Sequence, residues 1–200
     1  GIFEFNGKSF SELPATRQFL DGKAVTSIID GNNALLVGTS KGVFRYQNGV
    51  FSVFSSELNR LLSQYQLNKA YRINSKQFAF GTLLNGLIIT DEEGKILHIL
   101  NKNHGLPNNT ILALTADSEG NLWAGLDNGI GMVNLHSPLR HYHDIDGQLG
   151  AVYDAAVLDN KLYIGSNHGL FVTSFATSKP SFRLIPNTQG QVWSLDVFDN

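Results

Sequence analysis

The chain has 200 residues, 42% of them hydrophobic and 16% charged, with a formal net charge of −2 and no cysteine. That composition can bury a sizeable core, gives no electrostatic case for nucleic acid or an anionic membrane, and contains no apolar block of about 18 residues that could span a bilayer. The lack of cysteine is compatible with an oxidising compartment without requiring one.

In chain order, GIFEFNGKSF at Gly1 to Phe10 aligns with GVFRYQNGVF at Gly42 to Phe51, so residues 1–19 read as the two outer strands of a repeat unit. A chain that opens in mid-unit, on Gly1 and without a visible signal peptide, reads as processed or as cut from something longer. A first full unit, 24–54, carries ALLVGTSKGVFRY. The stretch SELNRLLSQYQ, Ser56 to Gln66, then places Leu58, Leu61, Leu62 and Tyr65 at helical spacing after a serine cap, which predicts a short helix between units. The unit 67–100 carries QFAFGTLLNGLIIT, with one residue more in its turn than its relatives have.

The unit 109–144 is the clearest. Its alternating run to Asp117 ends in the turn cluster Ser118 to Asn121, Leu122 to Leu126 forms a second strand, Asp127, Asn128 and Gly129 a tight turn, and Ile130 to Leu135 a third strand; a fourth is expected around Leu139 to Asp144. The unit 151–185 carries KLYIGSNHGLFVTS. Residues 191–200 close the chain, where VWSLDVFDN matches VYDAAVLDN at Val152 to Asn160 and so reads as the innermost strand of a further unit.

Counted on the first glycine of each G-x-x-x-G, the units fall at Gly38, Gly81, Gly125 and Gly165, spaced by 43, 44 and 40 residues. Helical-pair repeats share this period, but glycines within the apolar runs and repeated hairpin turns work against helices. A four-stranded antiparallel sheet of about 42 residues cannot bury both faces alone and must stack on its copies. The expected fold is therefore all-β: a single β-propeller segment over 1–200, an incomplete array of about four full blades of four antiparallel strands with partial blades at both ends. Joining the two ends would leave a ring still lacking one strand, so closure by these residues alone is not expected, and an isolated arc should self-associate.

The stretch GLPNNTILALTADSEGNLWAGLDNGIGMVNL, Gly105 to Leu135, resembles the two-component regulator propeller repeat, found in the extracytoplasmic sensor regions of bacterial histidine kinases and hybrid two-component regulators. Gly105, Leu106, Pro107 and Asn109 carry the lead-in motif, Asp117, Gly120, Asn121, Leu122, Trp123 and Gly125 the middle, and Asn128, Gly129 and Ile130 the turn. The resemblance implies a periplasmic propeller of about seven blades, in a receptor that continues into a membrane segment and a kinase, and a ligand derived from complex carbohydrate.

Among individual residues, Trp123 is expected to pack between blades and Asp117 to bond turn amides. His141 and His143 flank Tyr142 and would share a strand face, but no third ligand has metal-site spacing; Asp144, Asp146 and Gly147 read as a turn rather than a calcium loop. Asp154, Asp159 and Asp196 show no visible partner, and neither converging carboxylates nor G-x-S-x-G appears, so no catalytic residue, metal or cofactor is assigned. Loops joining one blade to the next share a face with the turns between second and third strands. That face collects the ligand-binding candidates Tyr153, Trp193, Gln191, Asn167, His168, Asn128, Asn109 and His104, with side chains suited to sugar hydroxyls and ring faces. Tyr153 and Trp193 occupy equivalent positions at the start of innermost strands.

The function expected is a non-catalytic extracytoplasmic sensor module that recognises a small saccharide, partnered by the remaining blades and receptor domains and homo-oligomeric in the full receptor, with no nucleic-acid or membrane contact by this segment. The alternatives are a protein-interaction scaffold, which would bind protein through a broad loop face, and a propeller lyase or hydrolase, which would need a general base and usually a metal.

Overall fold

The computed structural model describes residues 1–135, 137, 144, 146–174 and 181–198. The chain divides into two compact units, Gly1–His141 and Tyr142–Asn200. The strand expected near Leu139 to Asp144, and His141, Tyr142 and His143, fall outside the described residues but for Asp144.

In the first unit, β1 (Phe3–Phe5) and β2 (Phe10–Glu12) form a two-stranded antiparallel sheet, followed by a short helix α1 (Thr16–Leu20). Phe19 of α1 stacks on Phe51 with ring centroids 3.9 Å apart and so ties this segment to the next blade. That blade has strands in sequential order: β3 (Val25–Asp30), β4 (Leu35–Thr39), β5 (Gly42–Gln47) and β6 (Val50–Val53). Asn48 and Gly49, both at positive φ, make the two-residue turn between β5 and β6, the hairpin type whose twist matches the strands.

The helix α2 (Ser56–Tyr65) follows, capped by Ser55, whose hydroxyl accepts from the Leu58 N–H. Its buried Leu58 and Leu62 enter a core with Leu36, Val43, Phe54, Phe78 and Phe80, between the first blade and the second. The second blade is β7 (Leu67–Asn74), β8 (Gln77–Thr82), β9 (Leu87–Asp91) and β10 (Ile96–Leu100). The third is β11 (Ile111–Ala116), β12 (Leu122–Leu126) and β13 (Ile130–Val133), packed on the second through Ala79, Leu87, Ile89, Ile111, Leu122 and Ala124. Sequential antiparallel sheets stacked face to face are propeller blades. Among the described residues no helix is long and apolar enough to cross a membrane.

The second unit holds a further four-stranded blade, β14 (Val152–Leu158), β15 (Lys161–Ser166), β16 (Leu170–Ser174) and β17 (Arg183–Leu184), around Leu149, Ile164, Phe171 and Phe182. Residues 191–198, expected as an innermost strand, form no strand. The Val192 N–H bonds the Ser166 carbonyl and the Leu195 N–H bonds the Asp154 carboxylate, too few backbone bonds to make a ladder.

The repeated glycine has a steric cause. A Cβ on Gly38 would lie 2.8 Å from Leu67 Cδ2, one on Gly81 2.5 Å from Ile111 Cγ2, and one on Gly165 2.8 Å from the Val192 carbonyl oxygen. In each case the bare backbone of a second strand admits the first residue of the next inner segment. The residue after the glycine closes the turn: the Thr39, Thr82 and Ser166 hydroxyls donate to the carbonyls of Gly42, Gly86 and Gly169. The longer turn at Leu83 to Gly86 keeps this closure, so the extra residue is absorbed without loss of the bond.

Candidate functional site

Every innermost strand is irregular at the same place. The pairing register shifts between Val25 and Ser27, Leu67 and Lys69, Ile111 and Ala113, and Val152 and Asp154. A β-bulge thus inserts one extra residue at Thr26, Asn68, Leu112 and Tyr153, beside the loops that lead into each blade. Bulges turn a side chain away from the regular alternation and are enriched next to functional sites. The sequence shows no common residue type at these four positions; alignment of the repeats alone relates them.

In the second unit the bulge residue Tyr153 stacks on Trp193, with ring centroids 4.2 Å apart and planes at 15°. Tyr153 is 37% exposed and Trp193 63%, so one broad aromatic face stays open to solvent. The loops around the pair are interlocked. Asn167 donates its N–H to the Ala151 carbonyl and accepts from the Ala151 N–H through its side-chain oxygen at 2.8 Å. His168 Nδ1 lies 3.2 Å from the Gln148 carbonyl, which requires the proton on Nδ1 and leaves Nε2 as an acceptor in the neutral ring. Gln191 is exposed beside Val192, which bonds Ser166. Five candidates, Tyr153, Trp193, Gln191, Asn167 and His168, therefore belong to one cluster of loops.

In the first unit His104 and Asn109 take part in loop construction. His104 Nδ1 lies 2.7 Å from the Asn101 side-chain oxygen, and the Asn101 amide donates to the Asn85 side chain. The Asn109 side chain accepts from the Lys102 N–H, while its carbonyl accepts from the Gly86 N–H at 2.7 Å. The G-L-P-x-N motif thus latches a lead-in loop to the preceding blade's turn. Asn128 stands exposed at the tip of a turn that Gly129 makes at φ 92°.

The middle of the motif is a clamp. One Asp117 oxygen accepts from the Glu119 and Asn121 N–H groups, and the other from the Asn121 side-chain amide at 3.0 Å and the Trp123 indole N–H at 2.8 Å. The expected role for Asp117 thus extends to the tryptophan. Trp123 itself is 36% exposed, on the side of its sheet away from the second blade. On β12 the alternate residues Leu122, Ala124 and Leu126 fill the core against the second blade, so Trp123 points to the opposite face, across from Met132.

The Trp123 and then the Asn121 side-chain hydrogen bonds hold the Asp117 carboxyl down to about 2, from an ordinary 3.8. Because the folded value is the lower one, its contribution to stability is full above 3.8 and lost as pH falls toward 2. Urea unfolding followed by tryptophan fluorescence should therefore show a steeper loss of midpoint across this window for the parent chain than for Asp117→Asn. Equal slopes would show that the clamp does not depend on the charge.

Other acidic residues are similarly engaged. The Asp144 carboxylate accepts from the N–H groups of Gln148, Leu149 and Gly150, which makes the D-x-D-G a loop organiser. Asp154, for which the sequence shows no partner, accepts from the Ala155 and Leu195 N–H groups. Among the described residues no group of three or more His, Cys, Asp or Glu is placed to hold a metal ion.

Sequential antiparallel sheets, most of them four-stranded, with a bulged inner strand beside the loops of each blade, define a β-propeller segment. Residues 105–128 match the two component regulator propeller family. No curated protein matches the chain. Among solved structures it is similar to the extracellular domain of BT4673, described as a hybrid two component system, from B. thetaiotaomicron, at 17% identity and TM-score 0.47 over 83% of this chain and 25% of that one. The extracellular domain of BT3049, described in the same way and from the same organism, gives 20% identity and TM-score 0.35 over 84% of this chain and 30% of that one. The chain thus spans under a third of the length of these structures.

Proposed function

We propose that this chain is part of the extracytoplasmic sensor propeller of a bacterial two-component receptor, periplasmic in location, and that it binds a small saccharide without turning it over. The observation that carries the ligand class is the open aromatic face made by Trp193 on Tyr153. A pyranose presents axial C–H groups on one face and hydroxyls at its rim, so an exposed ring flanked by amide and imidazole groups suits it. Gln191 and His168 Nε2 supply such rim partners, and Asn167 holds the loop that carries His168. The match at residues 105–128 supports the receptor class. The rest of the receptor, with its further blades, a kinase and self-association, belongs to the same proposal.

The test is calorimetric titration of the chain with cello-, xylo-, manno- and arabino-oligosaccharides. Binding of at least one, weakened by about tenfold or more in Trp193→Ala, is the expected result, since a central aromatic contact dominates such sites. An unchanged affinity in Trp193→Ala would remove this face as the site, and release of new reducing ends would favour the lyase or hydrolase reading.

A further inference from the structure

We propose that Asp154 is the residue that positions the Tyr153–Trp193 platform, by holding the segment that carries Trp193 against β14; this deepens the saccharide reading and rests on it for the ligand. The bulge in β14 sets two consecutive residues to work on the same neighbour. Tyr153 meets the Trp193 ring, and Asp154 accepts from the Leu195 N–H at 2.7 Å, two residues further along that segment. Residues 191–198 form no strand; among the described residues their backbone is tied to the blade by the Val192 N–H bond to the Ser166 carbonyl and by this bond, the one that reaches β14. Gly190, at φ 121°, provides a pivot just before it.

Comparison with the second blade shows what is particular here. There the bulge residue is Asn68, and its side-chain amide donates to the Ile111 carbonyl at 2.8 Å, at the start of the next inner strand. The bulge side chain is thus spent on joining the two segments. In β14 the joining contact has moved one residue along, to Asp154, and the bulge position is released to carry an aromatic ring. The equivalents of Asp154 are Ser27, Lys69 and Ala113, none of them carboxylates. A ligand that stacks on Trp193 therefore meets a ring already held in place, which spares the ordering cost of a mobile side chain on binding.

The test needs no ligand for its main arm. In a Trp123→Phe background Trp193 is the single tryptophan, and its stacking on Tyr153 is read by near-UV circular dichroism and by acrylamide quenching, with far-UV spectra as the folding control. Asp154→Ala is expected to abolish the stacking signal and raise quenching, while Asp154→Asn, which keeps an acceptor oxygen, retains both. Leu195→Pro deletes the donor N–H without touching the carboxylate and should reproduce the alanine result. A stacking signal that survives in Asp154→Ala, or is lost equally in Asp154→Asn, overturns the proposal. With the oligosaccharide panel, Asp154→Ala should weaken binding by about tenfold. If no sugar binds the parent chain but the spectroscopic pattern holds, the positioning role stands and the saccharide reading alone fails.

Discussion

Phe78→Ala is expected to destabilise the unit Gly1–His141 by about 3–5 kcal/mol, the range for deleting a buried phenylalanine ring. Phe78 is fully buried on β8 and packs among Leu36 and Val43 of the first blade, Leu58 and Leu62 of α2, and Phe54, whose ring it meets edge-on at 5.9 Å. Three elements of the chain meet on this ring, so no single one can move in to fill the cavity, and partial collapse is what would lower the cost. Urea unfolding with a two-state fit measures the loss. A change below about 1 kcal/mol would mean that helix and blades do not form a common core.

Gly81→Ala is expected to cost about 1–3 kcal/mol although it adds a single methyl group, because it overpacks a blade interface. The added Cβ would lie 2.5 Å from Ile111 Cγ2 and 2.8 Å from Ile111 Cβ, and the latter, fixed to the backbone of β11, cannot rotate away. Ile111 is itself fully buried, so relief requires the two blades to separate. Pairing the change with Ile111→Ala tests the mechanism: the double variant should be less destabilised than the sum of the two singles, since the shortened side chain leaves room for the methyl. Simple additivity would show that the cost at Gly81 lies in the backbone rather than in the contact.

Several features of the fold were legible because they are local. Turn residues and two-residue alternation mark strands whatever they pack against, and a repeat period is a property of the sequence itself. The helix was visible in the spacing of Leu58 and Leu62 and in a preceding serine, which caps it as Ser55. Asp117 could be read as a turn carboxylate from its place before Ser118 to Asn121. Its bond to the Trp123 indole could not, because that contact requires β12 to fold back on the turn.

The clasp at the hairpins of the first two blades was hidden for the same reason. Arg72 bonds Asp30 and Asn32, and the Asn32 amide reaches the Ser75 carbonyl, linking residues about 40 positions apart that look like ordinary turn polar groups when read singly. Asp30 is 66% exposed and Arg72 half-buried, so solvent screens the pair and it aligns the blades more than it stabilises them.

The sequence by itself determined the all-β propeller class, the four repeats, the glycine at each second strand, and that Tyr153 and Trp193 are equivalent residues. Tertiary structure alone decided that these two rings stack, that a bulge at each inner strand sets the direction of one side chain, that Asp154 holds Leu195, and that Trp123 faces away from the core of its unit. The physical reason is common to all four. A turn or an alternation is set by residues within a few positions of each other, whereas a bulge is a mismatch in the pairing of two strands. A ring stack or a carboxylate latch in turn exists only once segments some forty residues apart lie side by side.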